Sequence, residues 1–190
     1  RAVRNELNLA LASLGTEAIA ARSAVACGHL IERWPNPEPV MAYLAMPAEA
    51  DAGGAMAAWR ARGITVCVPR ADWASKSMEP AVLGNRVIAG PHGIREADAA
   101  QPTLDPGMIA VVVVPGLGFT PMGERIGRGG GFYDRFLARL GAATTTVGFA
   151  LSAQIRDDLP TEPTDRAVDW VVTDDGVIDT RPKAAGTEGV

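Results

Sequence analysis

The hydrophobic pattern of the chain predicts helices separated by short strands. Over residues 2–34 leucines recur at helical spacing, which predicts one helix at the start of the chain and a second helix after Thr16. Further helices are predicted over residues 51–62 and 132–140. Between the helices, short segments such as the apolar run at residues 109–114 predict strands. The predicted strands lie at residues 40–44, 64–68, 109–114, 145–149 and 170–173.

Strands that alternate with helices predict a parallel sheet, because such strands are joined by right-handed crossovers. We therefore expect an α/β fold, a three-layer αβα sandwich around a largely parallel sheet. We expect Pro69 to end the second strand, and the less regular residues 71–106 to carry a short hairpin and a functional loop. At 190 residues the chain fits one domain. We place this domain at residues 1–179 and expect residues 180–190, which are small and polar, to form a flexible tail.

Composition and charge narrow the classes of partner. The net charge is −4 and the pI is about 5.2, which argues against a broad nucleic-acid surface. An anionic ligand must then be held by a local basic cluster, such as the four arginines within residues 124–139. No uninterrupted apolar run approaches the roughly 20 residues of a transmembrane helix. We expect a cytoplasmic monomer with no nucleic-acid or membrane partner.

Cysteine and histidine positions predict neither a metal site nor a disulfide framework. Cys27 and Cys67 lie forty positions apart in apolar stretches, so buried thiols are expected. His29 and His92 are isolated from each other and from the cysteines, which favours structural or surface roles.

The segment 109–135 carries the strongest functional signal. An apolar run ends at Pro115, a glycine-rich loop follows, and a helix is predicted to begin after it. Such a loop can aim backbone N–H groups at an anion, and glycine allows a ligand to approach closely. Arg125 and Arg128 lie within the loop, and planar guanidinium groups suit phosphate oxygens. A phosphate site is the leading hypothesis.

This loop matches neither common nucleotide-binding motif. It contains no lysine, which excludes G-x-x-x-x-G-K-[ST], and the sixth position counted from Gly127 is Phe132, which excludes G-x-G-x-x-G. The alternative interpretation is a tight turn in which the glycines serve packing alone. A turn needs fewer glycines and no arginines, so we favour the phosphate site.

The same residues resemble the signature of the 5-formyltetrahydrofolate cyclo-ligase family, also called 5,10-methenyltetrahydrofolate synthetases, and the resemblance extends over residues 1–175. The matching positions are Pro115-Gly116, Phe119-Thr120, Gly123, Arg125-Ile126-Gly127, Gly129 and Gly131-Phe132-Tyr133-Asp134-Arg135.

This resemblance implies ATP as co-substrate and Mg²⁺ as the metal. Arg4 matches an arginine that contacts ATP phosphates in the family, and the family's lysine falls before Arg1. The alternative for Arg4 is a solvated helix arginine. Catalytic roles are implied for Arg125, Arg128 and Tyr133. Contacts with ATP are implied for Arg4, Arg125, Ile126, Gly127, Arg128, Gly129, Gly130, Gly131, Phe132 and Tyr133.

Folate and magnesium positions follow from the resemblance in the same way. Asp134 and Asp165 match magnesium-associated acids, and two carboxylates with nucleotide phosphates suit Mg²⁺. The alternative for Asp134, and for Glu49 with Asp51, is an acid favoured in the first turn of a helix. Folate contacts are implied for Leu44, Glu49, Arg128, Gly129, Gly130, Gly131 and Phe132.

Three further features of the family pattern leave alternatives open. Trp73 and Met78 are candidates, with Phe132, for an apolar wall beneath a flat folate, and plain core packing is the alternative. Glu96 stands where the family usually has a glutamate followed by proline. Ala97 replaces that proline, which could loosen the loop.

The implied activity is an ATP- and Mg²⁺-dependent ligase. It converts 5-formyltetrahydrofolate into 5,10-methenyltetrahydrofolate and releases ADP and phosphate. The chain has no Ser-His-Asp or Cys-His signature, which agrees with catalysis by alignment and charge neutralisation. The rival hypothesis is a non-catalytic module, such as an inactive paralogue, that binds a nucleotide or a phosphometabolite.

Overall fold

The structure, a computed structural model, describes residues 2–90, 93–162 and 165–182. His92, for which a structural or surface role was expected, lies outside the described residues, and so does most of the predicted tail. Of that tail, Thr180 is buried, and its backbone N–H donates to the carbonyl of Asp169.

Within the described residues the chain forms three α-helices and eleven strands. The helices are α1 (Ala2–Arg33), α2 (Gly53–Ala61) and α3 (Phe132–Leu137). The strands are β1 (Val40–Met41), β2 (Val66–Asp72), β3 (Ser77–Val82), β4 (Val87–Ala89), β5 (Arg95–Ala97), β6 (Val111–Pro115), β7 (Gly118–Phe119), β8 (Arg125–Ile126), β9 (Thr145–Phe149), β10 (Trp170–Thr173) and β11 (Gly176–Asp179).

Seven strands form one central sheet in the order β11-β10-β9-β6-β1-β2-β3. The five inner strands are parallel, and the edge strands β3 and β11 are antiparallel to their neighbours. From β1 the chain winds outward to β2 and then returns to place β6 on the other side of β1. The strand order therefore reverses between β1 and β6, which is where ligands bind in open α/β sheets.

Side chains of the central strands alternate between two hydrophobic layers. Val111 and Val113 of β6 pack with buried residues of α1 and α2, whereas Val112 and Val114 pack with residues of α3 on the other face. This arrangement confirms the predicted three-layer αβα sandwich. Cys27 and Cys67 are free, buried thiols as predicted, and burial raises the pKa of Cys67 to about 12.

Several predicted element boundaries were wrong. Pro69 does not end β2, because this strand pairs on one side with β3 and Pro69 lies opposite Pro80. The edge strands β3 and β11 were not predicted as individual strands. A hairpin was predicted within residues 71–106, and β4 and β5 form one there. The predicted helix at residues 132–140 ends earlier, at Leu137.

Helix α1 is broken at Gly15, which has a φ of 75° and a ψ of 157°. The break agrees with the two helices predicted for this segment. By length and composition α1 could also cross a bilayer, although the sequence analysis found no apolar run of that length. Its buried side chains, among them Leu7, Leu11 and Leu30, pack against the sheet, so α1 covers one face of the core.

The ring of Phe119 lies against two glycines and links the sheet to the glycine-rich loop. A Cβ atom on Gly148 of β9 would lie 2.4 Å from Cε1 of this ring, and one on Gly116 would lie 2.7 Å from Cζ. Phe119 is fully buried and belongs to β7, whose partner β8 holds Arg125 opposite Phe119. The two glycines therefore allow the ring to seat the loop on the sheet.

We predict that Gly148→Ala lowers the free energy of unfolding by about 1–3 kcal/mol, because the added methyl group overpacks the Phe119 ring. The matched control is Gly28→Ala on the exposed face of α1, where a Cβ would meet no atom within 4 Å. This control should raise stability by about 0.5–1 kcal/mol. Urea unfolding followed by circular dichroism measures both, and equal effects would contradict the packing argument.

Candidate active site

A cavity of about 540 Å³ opens at the carboxyl ends of β1 and β6, where the strand order reverses. Its size suits a small-molecule ligand. All residues to which the sequence analysis assigned a site role line it. They are Arg4, Leu44, Glu49, Arg125, Ile126, Gly127, Arg128, Gly129, Gly130, Gly131, Phe132, Tyr133, Asp134 and Asp165.

A buried ion pair joins the glycine-rich loop to helix α3. The Nη2 atom of Arg125 lies 2.5 Å from Oδ1 of Asp134, and the Arg125 side chain is only 5% exposed. Gly131, at a φ of 67°, turns the backbone between the two residues into α3. Asp134 therefore neutralises the Arg125 charge, which leaves this arginine less available to a ligand than sequence reasoning expected.

Arg4 lies beneath the same loop although it is 123 positions away in sequence. Its Nε donates to the carbonyl of Gly127 at 3.0 Å, and its guanidinium carbon lies close to Gly129. The remaining N–H groups of a guanidinium can still donate to a ligand. The structure thus places Arg4 at the cavity, whereas the alternative interpretation placed its side chain in solvent.

A second ion pair crosses the cavity. The Nε of Arg128 donates to Oε1 of Glu49 at 2.8 Å, and Oε2 of Glu49 accepts from the backbone N–H of Met46 at 2.9 Å. Arg128 is half exposed, whereas Glu49 is mostly buried. The pair connects the glycine-rich loop to the segment after β1, so both residues are engaged with protein in this structure.

Tyr133 presents a buried hydroxyl group at the cavity wall. Burial, and then the negative charge of Glu49, raise the pKa of Tyr133, while the nearby Arg125 lowers it. The hydroxyl has no hydrogen-bond partner among the described residues. Because it stays protonated at neutral pH, it can donate a hydrogen bond to an incoming oxygen.

One wall of the cavity is apolar and aromatic. The rings of Trp73 and Phe132 meet edge to face, with centroids 5.0 Å apart. Met78 lines the cavity and is also part of the buried core, so its core packing is confirmed and its role in a folate wall stays a prediction. A flat heterocycle can stack on such a wall.

Sequence reasoning missed several residues that line the cavity. Tyr43 lies two residues after the end of β1, and its hydroxyl donates to the carbonyl of Ala50 at 2.6 Å, which orders the segment around Glu49. The rule that ligands bind beyond the carboxyl ends of parallel strands could have identified Tyr43. The others come from β2, from the β4–β5 hairpin and from the loop before β10, and were not assigned individually, although residues 71–106 were predicted to carry a functional loop. They are Pro69, Ala71, Ile94, Arg95 and Pro160.

Asp134 and Asp165 line the same cavity, thirty-one positions apart in sequence. Asp165 accepts the backbone N–H of Glu162 through Oδ2 at 2.7 Å. No contact to the second oxygen of either aspartate occurs among the described residues. That part of the chain also contains no group of three or more His, Cys, Asp or Glu side chains arranged to hold a metal. Two carboxylates with water and phosphate ligands remain compatible with Mg²⁺.

The model of the family described as 5-formyltetrahydrofolate cyclo-ligases matches residues 1–174 of the chain. The chain belongs to the 5-formyltetrahydrofolate cyclo-ligase family. This result confirms the family resemblance, which the sequence analysis placed over residues 1–175.

Similar proteins agree with this family. The 5-formyltetrahydrofolate cyclo-ligase of Mus musculus is 26% identical over 189 residues, which cover 92% of this chain and 93% of that protein. The mitochondrial cyclo-ligase of Arabidopsis thaliana is 37% identical over 86 residues, so the match spans 40% of this chain and 31% of that protein. The 5,10-methenyltetrahydrofolate synthetase of Aquifex aeolicus has a similar fold, with a TM-score of 0.83, 23% identity, and coverage of 96% of this chain and 93% of that one.

We predict that Arg125→Ala lowers the free energy of unfolding by about 3 kcal/mol, because it leaves the partly buried Asp134 carboxylate without its cation. The control is Arg86→Ala, which removes an exposed ion pair with Asp98 and should cost less than about 1 kcal/mol. Denaturant unfolding at low and high salt measures both. A loss at Arg125 no larger than at Arg86 would show that this pair does not anchor the loop.

Proposed function

We propose that this cyclo-ligase family member is an ATP- and Mg²⁺-dependent enzyme that converts 5-formyltetrahydrofolate into 5,10-methenyltetrahydrofolate, with ADP and phosphate as products. One observation carries the proposal. A single cavity at the strand-order reversal places a glycine-rich loop and its arginines beside an aromatic wall. The loop suits a polyphosphate, and the wall suits the rings of a folate.

Polyphosphate binding is assigned to the glycine-rich loop with Arg4 and Arg128. Both arginines line the cavity, and each uses its Nε atom for a protein contact. Their terminal N–H groups can then donate hydrogen bonds to phosphate oxygens. Arg125 supports this arrangement by holding Asp134 and by carrying positive charge next to the loop.

Folate binding is assigned to the aromatic wall, to Leu44 and to Glu49. For Glu49 to accept hydrogen bonds from the folate, its carboxylate must share or exchange the contact that it now makes with Arg128. A phosphate oxygen can take over the Arg128 guanidinium, which would free Glu49. Binding of the two substrates is then coupled through one ion pair.

In the proposed reaction the formyl oxygen attacks the γ-phosphate of ATP and displaces ADP, N10 then attacks the formyl carbon and loses its proton, and phosphate leaves. The oxygen of the formyl group departs with the phosphate, so no side chain has to form a covalent bond. The residues of the chain act by aligning the two substrates and by neutralising charge. Tyr133 contributes a protonated hydroxyl that can donate to an oxygen on which negative charge develops.

Magnesium is assigned to Asp134 and Asp165, whose free oxygens could hold a hydrated ion at the phosphate end of the cavity. The donor set fits, since Mg²⁺ takes few protein oxygens and keeps waters and phosphate oxygens as its other ligands. When bound, the metal would offset the repulsion between ATP and these carboxylates. We further propose that the enzyme acts as a cytoplasmic monomer whose partners are small molecules.

We predict that the full chain forms 5,10-methenyltetrahydrofolate from 5-formyltetrahydrofolate only when both ATP and Mg²⁺ are present. Absorbance of the methenyl product measures the reaction, and ADP release should match it one to one. A chain that binds ATP but makes no product with all components present would instead favour the non-catalytic binding module.

We predict that Asp165→Asn raises the Mg²⁺ concentration for half-maximal activity about tenfold, the change expected when a residue that holds a metal is weakened. Asp165 is the cleaner test, because Asp134 also neutralises Arg125. The control is Asp157→Asn, an exposed acid outside the cavity, which should leave the Mg²⁺ requirement unchanged. Equal Mg²⁺ dependence in both variants would contradict the assignment.

A further inference from the structure

Arg135 joins two parts of the candidate site, although it is not among the described residues that line the cavity. Its Nε atom donates to the carbonyl of Lys76 at 2.8 Å, and its Nη2 atom donates to the carbonyl of Gly130 at 2.8 Å. Lys76 ends the turn of residues 73–76 between β2 and β3, and this turn carries Trp73 of the aromatic wall. Gly130 belongs to the glycine-rich loop. One guanidinium group therefore holds the wall and the loop together.

Local geometry allows Arg135 to reach both carbonyls. A long side chain on a helix points back toward the helix N-terminus, so Arg135 on α3 extends toward the loop that precedes this helix. A Cβ atom on Gly131 would lie 3.2 Å from Nη1 of Arg135, so a glycine at this position leaves room for the guanidinium group. Lys76 has a φ of 53°, in the left-handed region that turns the chain from β2 into β3. The two turns thus present their carbonyls to one side chain.

The turn of residues 73–76 takes its shape from contacts within itself. Oδ2 of Asp72 accepts from the hydroxyl of Ser75 at 2.7 Å, which closes the turn but does not attach it to the glycine-rich loop. Arg135 attaches the end of the turn to α3. Phe132 is the first residue of α3, so the edge-to-face contact of Trp73 with Phe132 depends on where Arg135 holds the turn.

Arg139 gives a matched comparison, because it is a second exposed arginine that connects the α3 side of the fold to β3. Its Nη1 atom donates to the carbonyl of Met78 at 3.1 Å, and its Nη2 atom donates to Oε1 of Glu79 at 2.8 Å. In the described part of the chain neither contact reaches the glycine-rich loop. Exposed contacts of this kind contribute little to stability. A difference between the two arginines therefore reports what Arg135 connects, and not how firmly α3 packs.

We propose that Arg135 is a positioning residue that keeps the glycine-rich loop and the Trp73 turn in one fixed arrangement, so that the two substrates meet in the correct geometry. This inference rests on the proposed function, since it concerns how ATP on the loop and a folate on the wall are aligned. The formyl oxygen must lie close to the γ-phosphate, and small errors of alignment slow such a transfer strongly. Arg135 acts through the two carbonyls and not by contact with a substrate.

The test compares Arg135→Ala with Arg139→Ala at saturating concentrations of both substrates. For Arg135→Ala we expect kcat for methenyl formation to fall at least about tenfold, because the reacting groups lose their alignment. Calorimetry measures the Kd of 5-formyltetrahydrofolate and, separately, the Kd of a non-hydrolysable ATP analogue. Each Kd should change less than about threefold, since each substrate keeps its own contacts. Arg139→Ala should leave kcat and both Kd values unchanged.

Arg135→Lys separates the two hydrogen bonds from the positive charge. Lysine keeps the charge, but its single nitrogen replaces the planar fork that spans the two carbonyls. We expect its kcat to stay closer to that of Arg135→Ala than to that of the wild type. A kcat equal to the wild-type value would show that the charge alone suffices, and it would overturn the proposal.

A spectroscopic measurement tests the same arrangement without relying on activity. The chain has four tryptophans, so labelling with 5-fluorotryptophan gives four fluorine NMR signals, and Trp73→Phe identifies the signal of Trp73. We expect Arg135→Ala to shift or broaden the Trp73 signal, because the turn is no longer held against Phe132. Arg139→Ala should leave this signal in place.

The outcomes separate this inference from the proposed function. If the wild-type chain forms the methenyl product and Arg135→Ala loses less kcat than expected, the role of Arg135 is overturned and the function stands. Equal losses of kcat in Arg135→Ala and Arg139→Ala also overturn it, because they reflect only the attachment of α3 to β3. If the wild-type chain forms no product, the proposed function fails, and the fluorine signal of Trp73 still decides whether Arg135 holds the turn.

Discussion

The candidate site depends on the pairing of Arg125 with Asp134. A guanidinium as buried as that of Arg125 requires a negative partner, since an uncompensated buried charge is strongly destabilising. The partner comes from the first turn of α3, so the ion pair holds the glycine-rich loop in a defined path between β8 and α3. Phe119 supports the loop by packing against Gly148 of β9 and against Gly116, which follows β6. The loop is thus placed by one polar and one apolar contact.

This arrangement divides the cavity between two chemistries. The glycine-rich loop contributes cations and backbone N–H groups, and Phe132, directly after the loop, forms an aromatic wall with Trp73. The contact between Arg128 and Glu49 joins the loop to the segment after β1. A ligand that binds Arg128 or Glu49 competes with this contact. Binding of one ligand can therefore change the affinity for the other.

Local sequence patterns were sufficient for the inner part of the fold. Strands β9 and β10 lie at the predicted residues, because β-branched residues, which favour extended backbone, fill most of their positions. The edge strands β3 and β11 carry mixed patterns and form because a neighbour offers unpaired backbone groups. The rule for Pro69 failed for a related reason, since a proline is tolerated where its missing N–H has no partner to lose.

The sequence by itself determined the family, the largely parallel sheet and the residues of the glycine-rich loop, because these follow from local spacing and from a contiguous motif. Only the tertiary structure decided which of these residues are free to meet a ligand. Arg125 and Arg128 look equivalent in the sequence, yet one is buried against Asp134 and the other bridges to Glu49, 79 positions away. Burial and hydrogen-bond satisfaction are properties of neighbours brought together by folding, so no local sequence pattern could show them.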